Sequence, residues 1–143
     1  METVLFIVHV EEGFRKYFTE GMLPAIRKEA RKADRVIVME SLIDRDFYVV
    51  EELEGLFDTK IEWAWGYEPY QFVEDKTEFK WIIPTLSPHE WTWVPPEIRN
   101  MAPYLRHANV VICGGCNSEC LQDFRDVLEF MEIEYSTLTR GVY

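Results

Sequence analysis

The chain has 143 residues, of which 48% are hydrophobic and 15% aromatic, enough for one globular domain with a substantial core. Its formal net charge is −11, from 26 carboxylates against 15 basic side chains spread along the chain. Such a surface repels phosphate backbones and anionic lipid, so neither nucleic acid nor membrane is expected as a partner.

The first apolar run, residues 4–10, is too short to cross a bilayer, lacks a basic flank and carries His9, so it does not read as a leader. Unbroken apolar character predicts instead a strand buried on both faces. A helix is predicted over 23–33, with Pro24 acceptable in its first turn, then a second strand over 35–39. Phe47, Val50, Leu53, Leu56 and Phe57 recur at three- and four-residue spacing and predict a helix over 46–57. The segment 61–96 holds all five tryptophans and five of the seven prolines without long periodicity, and reads as a functional loop region with a short strand over 71–75. A helix over 97–106, a strand over 109–113, a helix over 118–131 and a last strand over 133–138 complete the chain.

Strands alternating with helices predict a single α/β domain over 1–143, a mainly parallel sheet with helices on both faces. Ligands bind such sheets beyond the carboxyl ends of the strands. His9, Lys76 and the loop 114–120 all fall there.

That loop is the most informative stretch. Gly114-Gly115 permit a tight turn out of the strand, and Asn117 or Ser118 can cap the next helix. Cys120 then lies in a first helical turn, where the macrodipole favours thiolate and free N–H groups can hold an oxyanion. Phe124, Val127 and Met131 share its face, which turns the thiol toward the sheet. Cys113, Cys116 and Cys120 are too few and too close for a disulfide framework, which suits a reduced, cytoplasmic protein. They also admit another reading, a soft metal site completed by His9, His89 or His107.

Gly114-x-x-Asn117-x-x-Cys120-Leu121 resembles the Gly-x-x-Thr-x-x-Cys-Val motif of the isochorismatase-like cysteine hydrolases, which include nicotinamidases. The resemblance implies a three-layer α/β/α fold with about five strands, Cys120 as nucleophile, and an oxyanion hole from the N–H groups of Cys116 and Cys120 after a cis Gly115–Cys116 peptide. It implies His9 at the catalytic aspartate position, Glu11 at the usual glutamine, and Gly13-Phe14 matched beyond them. Lys76 takes the place of the family lysine, with Lys80 the alternative. Glu11, Phe14 and Asn117 would contact substrate. The implied chemistry is hydrolysis of an amide or related C–N bond in a small molecule, without cofactor, in a homo-oligomer.

The chain departs from that pattern. The metal-binding Asp-x-His motif is replaced by Glu40-Ser41-Leu42, so no metal is expected, and histidine replaces the aspartate. A second function therefore stands beside the enzyme: a lapsed family member that binds a ligand or protein. Cys120 is then a buried apolar residue, His9 a core histidine and the tryptophans packing. A Cys–His pair remains chemically competent, because neutral imidazole can accept a thiol proton.

Overall fold

The computed structural model describes residues 1–65 and 80–143. The chain runs β1 (Thr3–Val8), α1 (Met22–Lys32), β2 (Arg35–Glu40), β3 (Thr59–Glu62), β4 (Ile82–Pro84), β5 (Trp91–Trp93), α2 (Pro96–Leu105), β6 (Asn109–Gly114), α3 (Cys120–Phe130) and β7 (Ser136–Val142). Five strands form one sheet in the order β3-β2-β1-β6-β7, every pairing parallel, and β4 and β5 make a separate antiparallel hairpin.

The strand period of two explains the layers. Val4, Phe6 and Val8 of β1 join Ile37, Met39, Val110 and Ile112 on one face, against Ile98, Ala102 and Leu105 of α2 and Phe124, Val127 and Leu128 of α3. Leu5 and Ile7 join Val36, Val38, Val111 and Cys113 on the other face, against Ile26 and Ala30 of α1. Both faces of β1 are covered, hence its unbroken apolar sequence. This is the three-layer α/β/α architecture. Among the described residues no helix is long and apolar enough to cross a membrane.

Two expectations are corrected. Residues 46–57 form no α-helix; only Glu51–Leu53 makes a 3-10 turn. Their backbone is spent on the segment after β1. Glu12 N–H donates to Tyr48 O (3.0 Å), Gly13 N–H to Asp46 O (2.7 Å) and Val50 N–H to Val10 O (3.1 Å). These tertiary bonds override the helical spacing. The last strand begins at Ser136, three residues later than expected, because Glu132 at φ 58° and the bond from Ile133 N–H to Leu128 O (2.8 Å) close α3 first. The expected strand over 71–75 lies outside the described residues.

Chain order reverses at β1, which has β2 on one side and β6 on the other. In an open α/β sheet the crevice at such a reversal is where ligands sit. His9 leaves β1 there and the loop 115–119 leaves β6 there.

Candidate functional site

The β6–α3 loop is fixed by backbone contacts from both sides. Gly114 has φ 104°, and a Cβ on it would come 2.0 Å from the Val8 carbonyl oxygen, so only glycine fits. Gly115 N–H donates to Val8 O (2.9 Å), Tyr143 N–H to Gly114 O (3.1 Å) and Asn117 N–H to Tyr143 O (2.6 Å). The Gly115–Cys116 peptide is cis. The Tyr143 hydroxyl donates to His9 O (2.6 Å), tying the residue after β1, at φ 51°, to the same assembly.

Between these elements lies a cavity of about 310 Å³ lined by His9, Phe14, Ile43, Phe47, Trp65, His89, Gly115, Cys116, Glu119 and Cys120. The first residue of α3 is Cys120, 8% exposed, on the face that carries Phe124 and Val127. Neither its N–H nor that of Cys116 is taken by another backbone group among the described residues. The thiol departs from expectation. Burial, followed by the carboxylates of Asp123, Glu119 and Glu11, pushes it above the ordinary thiol range.

His9 reaches the same cavity, but one ring nitrogen is committed: Nε2–H donates to the Trp63 carbonyl (2.7 Å). Burial pulls its pKa down to about 4, so the ring is neutral at physiological pH. Trp63 is held in turn by a reciprocal strap, its Nε1–H donating to Trp93 O and Trp93 Nε1–H to Ala64 O, each at 3.0 Å.

The residue pair that sequence reading missed is His89 with Asp123. Asp123 lies one turn after Cys120, fully buried, and accepts from the Ser87 hydroxyl and from His89, whose Nδ1 is 2.5 Å from Oδ2. A buried carboxylate needs such donors. His89 Nδ1–H is thus the donor to Asp123, and Nε2 lies 4.0 Å from the Glu119 carboxylate. One donor atom each from Cys120, His89 and Asp123 lies within 4.8 Å of the others. Trp65 stacks on the His89 ring at 4.6 Å and 18°. The sequence offers His89 only as a possible metal ligand beside the cysteines; its pairing with Asp123 is made by the turn between β4 and β5 that carries it.

The remaining expected residues divide. Cys116 and Phe14 line the cavity. Glu11 does not: it is fully buried, accepting from the Ser41 hydroxyl and from Ser41 N–H (2.6 Å). Asn117 is turned to Arg125, whose guanidinium donates to its Oδ1 (2.7 Å) and its carbonyl (2.9 Å). Lys80 lies over the Trp81 ring at 4.8 Å and does not line the cavity, while Lys76 lies outside the described residues. The three cysteines do not converge, because Cys113 is buried on the opposite face of the sheet with its thiol toward Phe6 O (3.6 Å). Among the described residues, the one His/Cys/Asp/Glu cluster suited to a metal ion is His89, Cys120 and Asp123.

No protein-family model matches this chain, and no curated protein matches it. Two solved structures do. A Leishmania major protein provisionally described as a MAR1 ribonuclease superposes with TM-score 0.63 at 15% identity, and the MAR1 ribonuclease of Caenorhabditis elegans with TM-score 0.60 at 18% identity. Each match covers 99% of this chain and 64% of the solved chain, so this chain spans less than two thirds of either neighbour's length. At these identities the likeness establishes the fold alone, an α/β fold with a five-stranded parallel sheet flanked by helices.

Proposed function

We propose that the chain is a cysteine hydrolase that cleaves an amide or related C–N bond of a small molecule, with Cys120 as nucleophile and His89 as the base. The observation that carries this reading is the approach of Cys120, His89 and Asp123 within 4.8 Å beside a cavity. His89 takes the role that the resemblance gave to His9, because the His9 Nε2 proton is held by Trp63 and its ring is a very weak base. Lys76 keeps its place as the lysine implied by resemblance.

The resting thiol is protonated, so attack and proton transfer go together. Cys120 Sγ bonds to the acyl carbon, its proton passes to His89 Nε2, and the carbonyl electron pair moves to oxygen. The N–H groups of Cys116 and Cys120 face that oxyanion. Collapse breaks the C–N bond as His89 returns the proton to the leaving nitrogen. Water then attacks the thioester, its proton goes through His89 to the departing sulfur, and the carboxylic acid leaves. Asp123 keeps the imidazole in its working tautomer and balances the imidazolium.

Burial of Cys120 and the raised thiol favour a second reading, a lapsed enzyme that keeps the cavity as a binding site. Ribonucleolysis, from the names of the solved neighbours, suits the chain less well, because its net charge of −11 repels a phosphate backbone.

An activated acyl ester tests the reading. Wild type should give a burst of leaving group and gain one acyl group on Cys120 by intact and peptide mass. Unchanged turnover in Cys120→Ala would overturn it, and absence of both acylation and turnover would favour the lapsed enzyme.

A further inference from the structure

We infer that the cavity selects a substrate carrying an organic cation, a protonated or quaternary amine set on a small aromatic or compact apolar body. The inference rests on the hydrolase reading for the role of the ligand, but not for its binding. Phe14, Phe47 and Trp65 wall the cavity with Ile43, and Phe14 meets Phe47 edge-on at 4.8 Å between ring centres. Aromatic faces present negative potential to a cation. Glu119 is the one carboxylate among the described lining residues, and no lysine or arginine is among them. Its carboxylate lies 4.0 Å from His89 Nε2 and its side chain is 47% exposed, so it stands at the mouth.

A second cavity of about 470 Å³ continues from the first. It shares Phe14, Cys116 and Glu119 and adds Tyr17 and Tyr143. Glu119 thus serves both lobes, each walled by rings. The arginines adjacent in sequence or contact are already occupied. Arg15 is held by Glu12 and by Glu52 at 2.7 Å, and Arg125 by the carbonyl and side chain of Asn117. Neither lines a lobe, which leaves Glu119 as the described carboxylate shared by both. A carboxylate beside aromatic walls is the chemistry that recognises ammonium groups.

Calorimetric titration of the full chain with benzyltrimethylammonium, benzyl alcohol and benzoate, at low salt, tests this without turnover. The cation should bind about tenfold or more tightly than the alcohol, and benzoate should not bind. Glu119→Gln should remove most of that preference, and Trp65→Leu should weaken the cation more than the alcohol. Equal binding of all three probes, or a preference that survives Glu119→Gln, would overturn the proposal. Turnover of neutral amides with no preference for cationic ones would overturn it while leaving the hydrolase. Tight cation binding with no acylation of Cys120 would uphold the site and overturn the hydrolase.

Discussion

Nδ1 of His89 lies 2.5 Å from Oδ2 of Asp123, a carboxylate with no exposed surface, and this pair stands beside the Cys120 thiol. The contact orients the ring, and in the proposed reaction Nε2 is the proton acceptor. His89→Ala is therefore expected to lower kcat on an acyl ester by about a hundredfold or more. Tm should fall as well, since the substitution takes a donor from the buried Asp123 carboxylate, so turnover is compared at a temperature where both proteins are folded. Asp123→Asn should also lower kcat, because an amide in place of the carboxylate no longer holds the tautomer or balances the imidazolium. Full activity in His89→Ala would assign the base elsewhere, with His9 the remaining histidine on the cavity wall.

The thiols give a second expectation. Cys120 and Cys113 are both held above the ordinary thiol range, Cys113 by burial first. Only the thiolate alkylates, so iodoacetamide should modify Cys120 slowly at pH 7 and faster as pH rises beyond the normal thiol value. Cys113, fully buried on the other sheet face, should react last. Rapid labelling of Cys120 at pH 6 would mean that the free enzyme holds a preformed thiolate–imidazolium pair.

How much of this was legible depends on where the determining contacts lie. The unbroken apolar runs of β1, β2 and β6 specify strands covered on both faces, and they pair as a parallel sheet. Gly114 and the three-residue step from Asn117 to Cys120 are local, and they place the cysteine at a helix start. The apolar spacing over 46–57 misled because those groups pack in a loop whose backbone pairs with residues 10–13, a contact no local period records. The pairing of His89 with Asp123 was illegible for the same reason. The two residues are 34 apart in the chain, across β5, α2 and β6.

Zinc gives the third expectation. Thiol, imidazole and carboxylate donors within 4.8 Å can close on a soft divalent ion. The ion would take the nucleophile, its base and the base's partner together. Micromolar zinc is therefore expected to inhibit acylation, with EDTA restoring it, and Cys120→Ala should weaken binding of zinc measured directly. Activation by zinc would instead make the three residues ligands of a working metal.

Glu11 gives a pH dependence whose sign can be worked out. It is fully buried beneath the site, accepting two hydrogen bonds from Ser41, with Glu40 nearby. Burial dominates and raises its pKa from 4.5 to about 7, against the pull of the Ser41 donors. The native state therefore holds this proton more tightly than the unfolded chain does. Its contribution to stability is complete below about pH 4.5 and is lost as pH climbs through 7. Glu11→Gln keeps an acceptor for Ser41 and cannot ionise. Denaturant midpoints measured from pH 5 to pH 8 should thus fall in the wild type and fall less in Glu11→Gln, so that the variant gains relative stability toward pH 8. The carboxylate also adds to the field that raises Cys120, so Glu11→Gln should shift the alkylation profile of Cys120 to lower pH. Both readouts move in defined directions from one substitution. A variant with wild-type pH dependence would show that Glu11 is already ionised in the folded protein at pH 5.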